Sequence, residues 1–163
     1  MMLLRIHFSG NTYSLKTPDN AAYNYRWLSF KSSKKFLTFE VCACHTARLR
    51  LAQLAFGSVQ YEIILGAEAN GKSQILSYSD AGTSVIAEED TPDILDCSEI
   101  RRFTLSWIND KIQLLAGSMS GRVIIDWRKD QGGFALFAAA LSTGPGSQGD
   151  WKFSFNEGEK NRL

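Results

Sequence analysis

The feature that most constrains what this chain can fold into is a period of two. Leu37, Phe39, Val41 and Ala43 alternate with Thr38, Glu40 and Cys42, and Ala47, Leu49 and Leu51 alternate with Arg48 and Arg50. Phe103, Leu105 and Trp107 alternate with Thr104 and Ser106, and Trp151, Phe153 and Phe155 alternate with Lys152 and Ser154. Successive side chains of a strand leave on opposite faces, so each stretch reads as a strand with one face in a core and one towards water. Further strands are expected near 83–87, 122–127 and 134–141, with another within 2–8. The run from Phe134 to Leu141 scarcely alternates and reads as buried on both faces. No stretch of a dozen residues carries an apolar stripe at helical spacing.

Two turns set a register. Asn70-Gly71 is the strongest two-residue hairpin signal, because both central residues must take positive φ. Folding there predicts Leu65 opposite Leu76 and Ile63 opposite Tyr78. A second turn at Asn109-Asp110 predicts Trp107 opposite Ile112, Leu105 opposite Leu114 and Phe103 opposite Ala116. A slip of one residue would set apolar groups against polar ones. About ten short strands with turns between them and little or no helix predict an all-β fold. The expected form is a two-sheet antiparallel β-sandwich, jelly-roll-like, over one domain from 1 to 155. Residues 156–163 are polar and read as a frayed tail.

With 163 residues, 44% hydrophobic and 21% charged, the chain can bury a core of its own. A net charge of +1 offers no basic face for nucleic acid. The longest apolar run falls short of the roughly 20 residues that span a bilayer, so no membrane partner is expected. MMLLRIHF is interrupted by Arg5 and His7 too early for a signal peptide. Three cysteines are an odd number, so reduced thiols are expected rather than a closed disulfide framework. These readings together favour a cytoplasmic protein, or a domain excised from a larger and even extracellular chain.

Several constellations invite a chemical reading. Gly144-Pro145-Gly146-Ser147-Gln148-Gly149 is a literal G-x-G-x-x-G. A dinucleotide fingerprint needs a helix after the glycines and an acidic residue about 20 positions on. Here a strand follows, and Pro145 lacks an N–H, so the loop reads as a turn and no cofactor is expected. Cys42, Cys44 and His45 are zinc-type ligands, but Cys42 and Cys44 share one strand face and His45 leaves from the other. Two semi-buried thiols beside a hairpin are therefore expected, with no metal.

The aromatic, acid and base of Trp127, Asp126 and Arg128 could hold a sugar ring at a strand end, although parity with Val123 and Ile125 sends Trp127 to the core. Arg48 and Arg50 share a face and could grip a carboxylate or phosphate. A solvated sheet face with Glu40 or Glu62 as neighbour is the plainer reading. Asn70, at its hairpin tip, completes the candidate ligand-binding set. Glu88, Glu89, Asp90, Asp93 and Asp96 surround Pro92 without the alternate spacing of a calcium loop. With two histidines, His7 and His45, no catalytic nucleophile can be assigned.

TPDNAAYNY, FLTFEVCACHTARLRLA, YEIILGAEANGKSQI, CSEIRRFTLSWINDKIQLLAG, VIIDW and LSTGPGSQGDWKF occur in the order of a known family. From about Thr17 to Phe155 the chain resembles the domain named after farnesoic acid O-methyltransferase. Two tryptophans usual in that family are replaced, one by Ala67 or Glu68 and the other by Pro145. The name implies methyl transfer from S-adenosylmethionine to a terpenoid acid. The residues alone show neither a Gly-rich loop on an α/β sheet nor a base paired with a carboxylate-binding Arg. They describe a non-catalytic module that binds a small ligand, glycan or protein partner through loops at one end. Methyl transfer is the alternative, and a homo-oligomer paired through a sheet edge a second one.

Overall fold

In the computed structural model, residues 7–9, 12–19, 28–29, 35–53 and 59–154 are described. Among these described residues the chain forms thirteen strands. The first seven are β1 (His7–Ser9), β2 (Thr12–Thr17), β3 (Leu28–Ser29), β4 (Phe36–Ala43), β5 (Ala47–Ala52), β6 (Val59–Gly66) and β7 (Lys72–Ser79). The rest are β8 (Gly82–Asp90), β9 (Arg101–Ile108), β10 (Lys111–Ala116), β11 (Val123–Arg128), β12 (Ala138–Thr143) and β13 (Gly149–Ser154). They pair antiparallel into a seven-stranded sheet, order β1-β2-β13-β4-β9-β10-β11, and a six-stranded sheet, order β3-β12-β5-β6-β7-β8. The result is the expected antiparallel sandwich. The tail 156–163 and the first residues of the 2–8 strand lie outside the described residues.

Alternation explains the layers. In β4, Leu37, Phe39, Val41 and Ala43 are at most 2% exposed, while Thr38, Glu40 and Cys42 between them are only half-buried. The inner faces meet in one core, whose centre is aromatic. Phe39 lies 5.7 Å from Phe103 and 5.9 Å from Trp151, measured between ring centroids. Trp151 also satisfies its indole N–H, which donates to Thr17 Oγ1 at 2.9 Å. Each such ring buried from water stabilises the fold by about 2–3 kcal/mol.

The Asn109-Asp110 hairpin has the predicted register. Trp107 faces Ile112, Leu105 faces Leu114 and Phe103 faces Ala116. Both turn residues take positive φ, 50° and 63°.

The Asn70-Gly71 hairpin differs from expectation. Ile63 faces Ile75, three positions before the predicted Tyr78, and Glu62 faces Leu76. The physical reason is a wider turn. The chain already bends at Gly66 (φ 67°), and Glu68, Ala69 and Asn70 follow at 50°, 56° and 66°. This segment is a short helical element, α1 (Ala67–Asn70), with left-handed residues inside it. An Ala67–Lys72 bridge closes the turn.

One other strand expectation shifts. β12 begins at Ala138, so Phe134 and Leu136 enter the core from an irregular segment. All six residues of β12 are buried, as the lack of alternation implied.

Candidate functional site

The outward face of the six-stranded sheet carries an unusual polar cluster. Alternation sends Arg48 and Arg50 of β5 away from the core. Register then brings Glu62 of β6 beside Arg50, and Ile64 beside Arg48. The Glu62 side chain is only 1% exposed, whereas those of Arg48 and Arg50 are 28% and 30% exposed. A carboxylate so buried is costly unless it is paired and hydrogen-bonded. Here Arg48 Nη1 donates to Glu62 Oε1 at 3.4 Å, and Arg50 Nε lies 3.9 Å from Oε2. Tyr78 of β7 donates its hydroxyl proton to the same Oε2.

The Arg50 guanidinium also sits over the Tyr78 ring, 5.6 Å from its centroid. Burial first, and then the hydrogen bond to Glu62, push the Tyr78 phenol above its ordinary value. Arg48 Nε is buried with no hydrogen-bond partner among the described residues. One buried acid thus fixes two half-exposed guanidiniums and a phenol on a single sheet face. The sequence offers Arg48 and Arg50 as a carboxylate or phosphate grip or, more plainly, as a solvated face with Glu40 or Glu62 as neighbour, and Glu62 is the neighbour found. The burial of Glu62 and the contribution of Tyr78 were not legible, because the predicted β6–β7 register was three residues out.

The other candidates do not converge. Trp127 packs on Tyr61 at 5.7 Å and Phe134 at 6.4 Å, half-buried against the core. Asp126 bonds Lys111 at 2.6 Å, and Arg128 Nη1 donates to the Asn109 carbonyl at 3.3 Å. Trp127 was paired by parity with Val123, but Val123 is exposed, because a bulge at Leu114/Leu115 shifts β11. The Asn70 amide is taken up by Leu95, donating to its carbonyl at 2.9 Å and accepting from its N–H at 3.1 Å.

The expectation of reduced thiols is corrected: Cys44 and Cys97 form a disulfide. An odd count only requires that one thiol be left over, and that one is Cys42. Cys42 Sγ lies 3.2 Å from the Cys97 carbonyl oxygen. Burial, followed by the charges of Asp150 and Asp96, pushes its thiol up. His45 shares a 2.9 Å hydrogen bond with Thr46 Oγ1. Among the described residues no group of three or more His, Cys, Asp or Glu is placed to hold a metal.

The glycine loop is a turn between β12 and β13. Two of its glycines, Gly144 and Gly149, are required by close packing, and Gly146 by a φ of 80°. A Cβ on Gly144 would lie 2.6 Å from Thr46 Cγ2, and one on Gly149 would lie 2.5 Å from Thr17 Oγ1. Gly144 N–H donates to the Thr46 carbonyl at 2.8 Å, which docks the loop on the start of β5.

Fold and site together define a β-sandwich module of the jelly-roll class. Among solved structures the chain is similar to a galectin from Caenorhabditis elegans at 10% identity, covering 92% of this chain and 100% of that one, with a TM-score of 0.60. Sheep galectin-11 gives 9% identity, coverage of 85% and 97%, and a TM-score of 0.52. A prokaryotic β-1,3-1,4-glucanase from a mouse hindgut metagenome gives 12%, coverage of 91% and 82%, and 0.52. At such identities the likeness establishes the fold. No curated protein sequence matches the chain. The profile of the family described as farnesoic acid O-methyl transferase matches residues 19–157, and the chain belongs to that family.

Proposed function

We propose that the chain is a non-catalytic carbohydrate-binding module whose ligand lies on the outward face of the six-stranded sheet, over Arg48, Arg50 and Tyr78. This moves the site from the loops at one end to a sheet face. The carrying observation is the buried Glu62, which holds the two guanidiniums in fixed positions. Guanidiniums present forked N–H donors and no acceptors, which suits the oxygen-rich edge of a sugar. Held in place before binding, they lose little freedom when a ligand arrives. Galectins and a glucanase among the fold neighbours are compatible with a saccharide ligand. The Cys44–Cys97 disulfide supports an oxidising compartment over the cytoplasm.

Isothermal titration of the purified chain against a glycan panel tests the reading. A saccharide should bind, and Arg50→Met, which keeps the aliphatic packing, should weaken it at least tenfold. Tyr78→Phe should weaken it as well. Silence across the panel, or variants that bind as the parent does, would sink it. The family name points instead to methyl transfer, so S-adenosylmethionine belongs in the same titration. Its binding would restore an enzyme.

A further inference from the structure

A second cleft, of about 450 Å³, lies away from the sheet-face cluster, between the end of β8 and the β9–β11 end of the other sheet. Its floor is apolar, with Phe103 and Ile124 both buried and Ile94 half-buried. Its polar lining is divided by sign. Asp90 and Asp93 come from the end of β8 and the strap that follows it, and Arg102 and Arg122 come from β9 and the approach to β11. Register aims Arg122 at the cleft. Phe103 faces Ala116, and the Arg122 carbonyl accepts from Ala116 N–H at 2.9 Å. These three residues form one cross-strand row and leave the sheet on Phe103's side.

A third arginine in the lining, Arg101, is already neutralised by Asp96 at 3.4 Å and Glu99 at 3.5 Å. The remaining two arginines and two aspartates are not. Among the described residues no ion pair within 4.0 Å joins any of the four to a partner.

The strap is held so that the acidic wall stays in place. Thr91 N–H donates to the Gly71 carbonyl at 2.8 Å and Asp93 N–H to the Asn70 carbonyl at 2.9 Å. The Asn70 amide clamps Leu95, the Ser73 and Thr91 hydroxyls meet at 2.8 Å, and Cys97 is tied to Cys44. Asp90 and Asp93 are therefore kept apart from Arg122 across an apolar floor, in a volume within the range of ligand sites.

We infer that this cleft binds a small zwitterion of the size of an amino acid or dipeptide. The ammonium group faces Asp90 and Asp93, the carboxylate faces Arg122, and an apolar side chain covers Phe103 and Ile124, while Arg102 leaves β9 on the opposite face, beside Glu40. Each wall supplies the charge-assisted hydrogen bonds that one pole of such a ligand needs. Neither pole has to break an existing ion pair.

Calorimetric titration with L-leucine, leucyl-leucine, N-acetyl-L-leucine and leucinamide is the test, since the last two each lack one pole. A zwitterion should bind at least tenfold more tightly than either singly charged analogue. Arg122→Gln and Asp93→Asn, both at exposed positions, should each cost tenfold or more with unchanged melting temperature. Arg50→Met should leave this binding intact, which separates it from the sheet-face site. Equal binding of N-acetyl-L-leucine would reduce the cleft to a plain anion site and overturn the inference. So would no binding by any of the four, or leucine binding that survives both charge variants.

Discussion

Breaking the Cys44–Cys97 disulfide should remove a large part of this protein's stability. The bond closes a loop across a sequence separation of 53. The chain-entropy relation for such a loop gives about 14 cal/mol/K, or about 4 kcal/mol at 25 °C. For a domain of this size that corresponds to a fall in melting temperature of roughly 8–16 °C. The assay is urea unfolding of the parent beside the double variant Cys44→Ser with Cys97→Ser, both followed by tryptophan fluorescence. The slope of free energy against urea should also rise, because the unfolded chain is no longer cross-linked and exposes more surface. A loss below about 1 kcal/mol with an unchanged slope would refute the reasoning. It would mean that Asn70 and the backbone bonds to Gly71 and Asn70 hold the strap without covalent help.

Two further outcomes follow from the packing and the charges. Trp151→Ala empties the aromatic centre and removes the indole donor to the Thr17 hydroxyl, so urea unfolding should show a loss of about 3–5 kcal/mol. Asp96 accepts from the Ser98 N–H and hydroxyl and from the Glu99 N–H, with Arg101 adding to these, and its carboxyl falls from 3.8 to about 2. Because the folded value is depressed, its support of the strap is present above about pH 4 and fades as pH falls towards 2. Carboxyl chemical shifts should trace that titration, and Asp96→Asn should abolish it.

What the sequence disclosed depended on how local the cause was. The Asn109-Asp110 register was legible because both turn residues and the paired apolar sets lie between Phe103 and Ala116. The Asn70-Gly71 register was not, since the bend starts at Gly66 and Asn70 has a distant engagement with Leu95. Trp127 packs against the core as parity with Ile125 implied, whereas the face of Val123 was hidden by a bulge that one strand imposes on its neighbour. In the sheet-face cluster, Arg48 and Arg50 were visible from alternation alone. Tyr78 and the burial of Glu62 required the true pairing of β6 with β7. Cys97 as the partner of Cys44 required the whole topology, because the two meet only after β5–β8 have been laid down between them.

The pairing of β2 with β13 sets Thr12 directly opposite Ser154. β2, near the start of the described chain, and β13, its last described strand, therefore bring Thr12 and Ser154 together on one sheet. A chain entering at Thr12 and leaving at Ser154 would carry the module as a side pendant, adding little to the reach of a longer polypeptide. Tension applied through those two residues would open the sheet as a zipper, one rung at a time, instead of shearing all rungs together. The same proximity would let new ends be cut elsewhere and these two joined by a short linker.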